Sequence, residues 1–340
     1  MLLAQSAKPR GSEGSAPSDD FRVGAGFYVE QRIEEKADSM PLLVTGSIGI
    51  DTIKTPHGIS ERCLGGSSIY FSMAASLFSP VRFVGVVGED CPFDLPALFQ
   101  GRNVDLRGLE VRSGSKTFVW HGTYHENMND RTTDHVELNV LQEAPPKVPE
   151  VFRDSRFVFL ANTAPALQVE LLGQIRAPLF VAADTMDLWI AGQLADLKEL
   201  LKKVHCLIVN DEEAKLLAGR LNLIEAAEAI LVMGPRVVIV KKGEAGSLMC
   251  LADGSKFVLP AYPTTDVRDP TGAGDSFAGG LMGYLAQART TDFATLKRAV
   301  AYGTVVASFT ISDFSLAGLT AATRQDIDAR LEMLRTFTCF

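Results

Sequence analysis

The chain has no C-x-x-C pair, and its five cysteines, Cys63, Cys91, Cys206, Cys250 and Cys339, are odd in number and widely scattered. That spacing disfavours a disulfide framework and a zinc site, and it fits a reducing cytoplasmic location. No apolar run approaches the roughly 20 residues needed to cross a bilayer. Lysines and arginines nowhere form a block, and 33 basic against 41 acidic residues leave a net charge of −8. A nucleic-acid or anionic-membrane partner is therefore disfavoured. Two nucleotide signatures are also missing. No G-x-x-x-x-G-K-[ST] occurs, and no G-x-G-x-x-G follows the first strand, which argues against an NAD-dependent enzyme.

What is present is 340 residues of which 46% are apolar, enough for a substantial core. Residues 1–39 stand apart. Ser6 to Asp20 is rich in Ser, Gly, Pro and charge, lacks the apolar core of a signal peptide, and reads as part of a disordered N-terminal extension. From Met40 onward the pattern predicts an α/β protein. Leu42 to Ile50 reads as one buried parallel strand that delivers Asp51 at its end, and Val81 to Val87 as another. Helical periodicity covers Ser67 to Phe78 and Pro92 to Arg102. Residues 52–64, around Pro56-His57-Gly58, read as a hairpin. In 111–125 the residues alternate, with Phe118, Trp120 and Tyr124 on one face and Thr117, His121, Thr123 and His125 on the other, and 132–140 offers a partner strand. His121 and His125 lack a convincing third metal ligand.

After the linker Pro145–Pro149, strand and helix alternate: Phe157–Ala161, Pro165–Ile175, Leu179–Ala183, Leu188–Lys202, Cys206–Val209 and Asp211–Ala218. This is the signature of a mostly parallel sheet with helices on both faces. Val237–Val240 and Leu248–Leu251 flank a turn, and helices are expected over Asp292–Ile311 and Arg324–Leu334, the last as a solvated surface element.

The chemistry concentrates in Asp269-Pro270-Thr271-Gly272-Ala273-Gly274-Asp275, followed by an apolar, glycine-rich run to Ala286. A tight loop that opens into a helix presents backbone N–H groups without intrahelical partners, reinforced by the helix dipole. Gly272, Ala273 and Gly274 carry no bulk to keep a phosphate away from those donors. Asp275 beside such an anion hole suits a base that takes a proton from an attacking hydroxyl. By itself GAGD also fits a carboxylate that complements the dipole and glycines that permit close packing.

The whole string resembles the C-terminal signature D-T-x-G-A-G-D of the ribokinase-like (PfkB) carbohydrate kinase family, with Pro270 where threonine is usual. A second anchor is Gly65-Gly66 before a helix, which resembles the family's N-terminal motif. The resemblance implies that Asp51 and these glycines bind acceptor hydroxyls. Ribokinase itself has an asparagine where this chain has Tyr70, and the flat ring suits a larger acceptor such as an inositol or a nucleoside. Asn210 to Glu213 matches N-x-x-E, which in the family organises water and Mg²⁺ around the nucleotide phosphates; alone it reads as a capped acidic helix start. Gly243 and Gly246 match G-x-x-G, which contacts nucleotide, with Lys242 available to neutralise phosphate; alone the piece is a plain hairpin. Asp184 is a weaker candidate for the same cleft. Asp269 and Thr271 lie where some relatives bind a stimulating monovalent cation such as K⁺.

The expectation is thus a ribokinase-like kinase domain over 40–340, with a small antiparallel β lid from about 52–64 and 111–140. It would transfer a phosphoryl group from Mg-ATP to a hydroxyl of a small carbohydrate or polyol, with Asp275 as base. A nucleoside kinase of the same fold, with Tyr70 and Trp120 stacking on the base, is the first alternative. A sugar-sensing protein without catalysis is the second, and an intact Gly272–Asp275 set argues against it. An exposed apolar lid face would serve a homodimer.

Overall fold

Thr45 ends the first strand, and what the chain does next decides where Asp51 lies. The computed structural model describes residues 40–339, so the extension expected over 1–39 lies outside the described residues. Strand β1 (Leu42–Thr45) is fully buried and pairs in parallel with β4 (Val81–Gly88) and β8 (Phe157–Leu160). The expected single strand to Ile50 breaks after Thr45. Gly46 passes so close to α1 (Ser67–Ala75) that a Cβ on it would come within 2.6 Å of Ser67 Oγ. Ser47 and Ser67 then exchange hydrogen bonds, each backbone N–H donating to the other's hydroxyl at 3.0–3.1 Å. The chain leaves the main sheet there and restarts as β2 (Gly49–Thr55), which turns back into β3 (Gly58–Gly65).

Among the described residues the main sheet has nine strands. Their order is β13-β12-β11-β10-β9-β8-β1-β4-β5, with β5 spanning Val104–Arg112, β9 Phe180–Asp184, β10 Cys206–Asn210, β11 Val237–Lys241, β12 Ser247–Leu251 and β13 Lys256–Leu259. All pairs from β5 to β11 are parallel, and β11-β12-β13 are antiparallel. The apolar runs of β8, of β9 as far as Ala183 and of β10 as far as Val209 follow from burial on both faces. Strand β5 was not anticipated because Asp105, Arg107, Glu110 and Arg112 interrupt its apolar pattern, as suits a charged sheet edge. Only Val111 and Arg112 of the predicted 111–125 strand belong to it.

Two apolar layers cover the sheet. One holds Phe71, Phe159, Leu281 and Val306, under α1, α8 (Ala273–Ala288), α9 (Phe293–Thr310) and α11 (Arg324–Thr338). The other holds Leu171, Leu197, Ala214 and Ile230, under α3 (Pro165–Leu172), α5 (Leu194–Leu201), α6 (Asp211–Ala218) and α7 (Leu223–Val232). The expected helix 92–102 shortens to α2 (Leu95–Leu98), capped by Asp94, and the expected helix 188–202 divides into α4 (Asp187–Gly192) and α5 at Gln193. α10 (Ala317–Ala321) completes the set. α11 is more than a solvated element. Ile327 and Leu334 are buried, and Arg330 stacks on Phe309 of α9 with 3.6 Å from guanidinium carbon to ring centroid.

The lid is a four-stranded sheet of order β3-β2-β6-β7, with β6 over Phe118–Tyr124 and β7 over Arg131–Glu137. Its two hairpins are antiparallel, as expected, and they join along a parallel β2–β6 seam. Among the described residues no helix is long and apolar enough to cross a membrane.

Candidate active site

The loop before α8 folds as its sequence dictates. The Ala273 N–H closes on Pro270 O at 3.1 Å and the Ser276 N–H on Gly272 O at 2.8 Å. Gly272 takes φ +74°, the left-handed region that favours glycine, and a Cβ there would collide with the Tyr70 ring. Among the described residues the Gly274 N–H has no protein acceptor. An open donor therefore lies at the positive end of α8. Asp275 lies in this first turn. Burial raises its carboxyl to about 6, against the opposing pull of Lys241 and Arg131.

Asp51 reaches the site from the lid, in β2, and not from the end of a core strand as expected. Its carboxylate rests on Gly65, where any Cβ would overlap it, while a Cβ on Gly66 would strike the Ser47 backbone. The glycine pair is thus required by the protein's own crossing chains. Asp51 is 4% exposed and its Oδ1 has no hydrogen-bond partner. Burial first, then the neighbouring Asp269 and Asp275, raises its pKa to about 8. A buried carboxyl group with an unsatisfied oxygen of this kind has hydrogen-bonding capacity left for a ligand. In the parallel β2–β6 register Gly49 faces Phe118 and Asp51 faces Trp120, so Phe118 and Trp120 share the lid face of Asp51. A register shift between His121 and Gly122 interrupts the alternation before Tyr124.

Tyr70 departs from its expected role. It is 1% exposed with its ring against Gly272, so it offers no free face to a base. Only its hydroxyl, buried without a hydrogen-bond partner, remains to address an acceptor.

On the opposite side, Asn210 and Glu213 form a reciprocal cap. Asn210 Oδ1 accepts the Glu213 N–H at 2.7 Å, and Glu213 Oε2 accepts the Asn210 N–H at 2.8 Å. Both readings of N-x-x-E therefore meet in one geometry, since the cap leaves Glu213 one carboxylate oxygen without a protein hydrogen bond among the described residues. Burial raises the pKa of Glu213, and Lys241 opposes the shift. Asp184, buried with Oδ1 unpartnered, joins this group, and burial with the nearby Asp275 raises its pKa well above the usual range. Gly243 and Gly246 both take positive φ in the turn after β11.

The lysine whose ammonium lies against Gly274 is Lys241. A Cβ on Gly274 would come within 2.5 Å of Lys241 Nζ. Sequence reasoning passed over Lys241 because adjacent lysines at a strand end cannot be told apart without knowing which points inward. Arg131 was missed for a similar reason: it lies on a fully exposed strand, yet it acts electrostatically on both Asp275 and Glu213. Asn129, at the tip of the same hairpin, touches Gly243. Asp269 is fully buried. Its two oxygens accept the N–H groups of Thr271 at 2.9 Å and Ser315 at 3.0 Å, which staples the loop after α9 to the anion loop.

Residues 65–321 match the model of the pfkB family carbohydrate kinases. The chain belongs to that family. It is 31% identical over 257 residues to cytidine kinase of Thermococcus kodakarensis, covering 72% of this chain and 88% of that protein. It is 35% identical over 282 residues to 5-dehydro-2-deoxygluconokinase of Photobacterium profundum, covering 74% and 81%. Its fold is similar to that of ribokinase from Thermotoga maritima, with a TM-score of 0.69 at 21% identity over 86% of this chain and 99% of that one. The pfkB kinase thus has the ribokinase fold, a mostly parallel sheet with a lid, and its family transfers phosphoryl groups to small molecules.

Proposed function

We propose that this protein transfers the terminal phosphoryl group of ATP to a hydroxyl of a small carbohydrate or nucleoside. The observation that carries the reading is Asp275 at an open helix start, with a pKa near 6 and the unsatisfied Asp51 carboxylate on the acceptor side. Asp51 and the Tyr70 hydroxyl hold acceptor hydroxyls. The reacting oxygen points at Asp275, which takes its proton as that oxygen attacks the γ-phosphorus in line. The Gly274 N–H, which has no protein acceptor, receives charge on the moving group. Magnesium, bound with the nucleotide, would offset phosphate charge, and the free oxygen of Glu213 suits it through water. A monovalent cation beside Asp269 belongs to the same reading, because Thr271 Oγ1 is buried without a partner there. Lys242, Gly243 and Gly246 would border the nucleotide.

A nucleoside acceptor is favoured over a free sugar by one observation. Phe118 and Trp120 share the lid face of Asp51, so a planar base would meet aromatic surface while its ribose meets the carboxylate. The similarity to a cytidine kinase agrees with this. The test is ADP release from Mg-ATP across nucleosides, pentoses, hexoses, 2-keto acids and inositols. A nucleoside with the highest kcat/KM supports the reading; a free sugar preferred by tenfold or more reverses it.

A further inference from the structure

We propose that Lys241 is a catalytic residue, whose ammonium group binds the phosphoryl group in transit at the start of α8. The inference rests on the kinase reading above and adds a residue to it. Lys241 ends β11, where it pairs with Asn210 on one side and Ser247 on the other, so its backbone is fixed between two strands. Its Nζ lies against Gly274, close enough that a Cβ there would come within 2.5 Å. Among the described residues this ammonium donates no hydrogen bond and makes no ion pair within 4.0 Å. Asp184, Glu213 and Asp275 all feel its charge without binding it.

A cation at the N-terminus of a helix has the wrong sign for the dipole, and here it sits beside an N–H that lacks an acceptor. An anion between Nζ and the Gly274 N–H removes both penalties. The terminal phosphoryl of a nucleoside triphosphate is an anion of the right kind, and the carboxylates around Lys241 keep it extended toward that position. During transfer the acceptor oxygen forms the new P–O bond, the bond from γ-phosphorus to the bridging oxygen breaks, ADP leaves, and the acceptor proton goes to Asp275. The Lys241 ammonium neutralises oxygen charge on the group in transit.

The experiment compares wild type, Lys241→Met and Lys241→Arg in the full chain. It measures kcat against pH, KM for ATP, and calorimetric affinities for ATP and ADP in the absence of acceptor. Lys241→Met should lower kcat about 100-fold or more and abolish the preference for ATP over ADP while ADP affinity stays within a few-fold. Its acid limb should move to higher pH, because Lys241 holds the Asp275 pKa down, and Lys241→Arg should recover part of kcat. Unchanged kcat and ATP affinity in Lys241→Met would overturn the proposal. So would equal losses of ATP and ADP affinity with a lowered melting temperature, which mark a structural cation. The binding arm separates the two claims. If wild type turns over no acceptor and yet loses its ATP preference in Lys241→Met, the Lys241 site stands and the kinase reading falls.

Discussion

The ring of Tyr70 packs beneath the backbone of Gly272, in contact close enough to exclude any side chain there. This places α1, which begins after Gly65-Gly66, directly under the loop that opens α8. Gly272→Ala should therefore damage catalysis in two ways, through a left-handed φ that costs about 1–2 kcal/mol without glycine and through displacement of Tyr70. The expected outcome is a folded protein with kcat reduced about 100-fold or more, checked by steady-state kinetics beside circular dichroism.

Activity should depend on pH through Asp275. The base must be ionised to accept a proton, and its pKa is raised from the usual carboxylate value to about 6. kcat should then be full above that value and fall as pH drops through about 6. A plateau extending down to pH 4 would show that the base is another group.

Asp51 gives a stability signature of opposite sense to that of a salt-bridged carboxylate. Its folded-state pKa, raised from 3.8 to about 8, means that the fold favours the protonated form. The stability it contributes is complete below about 3.8 and is lost as pH rises through about 8. Asp51→Asn lacks this loss, so its melting temperature should exceed that of ligand-free wild type by a margin that grows from pH 4 to pH 8. Thermal melts across that range check the slope, and the same variant should lose acceptor affinity.

Trp120 distinguishes the acceptor classes. Trp120→Ala should raise KM for a nucleoside about tenfold, in line with a stacking contribution of about 1–1.5 kcal/mol, and leave KM for a free sugar of the panel within about twofold. Equal effects on both would remove the lid aromatics from base recognition.

Much of this was legible in sequence because local rules and tertiary structure agree. The Asn210 cap and α6, the Gly272–Asp275 turn, and the runs of β8 to β10 each state their own conformation. Less legible was whatever depended on where the chain crosses itself. Leu42 to Ile50 reads as one apolar strand, and only the Gly46–Ser67 contact explains its break and the assignment of Asp51 to the lid. Tyr70 reads as a pocket aromatic until Gly272 is found on top of its ring. Lys241 and Arg131 are ordinary charged residues in sequence and become site residues only through partners far away in the chain.

Asp275 as the base of a phosphoryl transfer is open to a direct kinetic test. ADP release from Mg-ATP with the best acceptor of the panel is compared between wild type and Asp275→Asn, with acceptor and nucleotide affinities measured on both. Asp275→Asn should lose kcat by about 100-fold to 10,000-fold with both affinities retained. An Asp275→Asn protein that turns over at the wild-type rate would contradict that role.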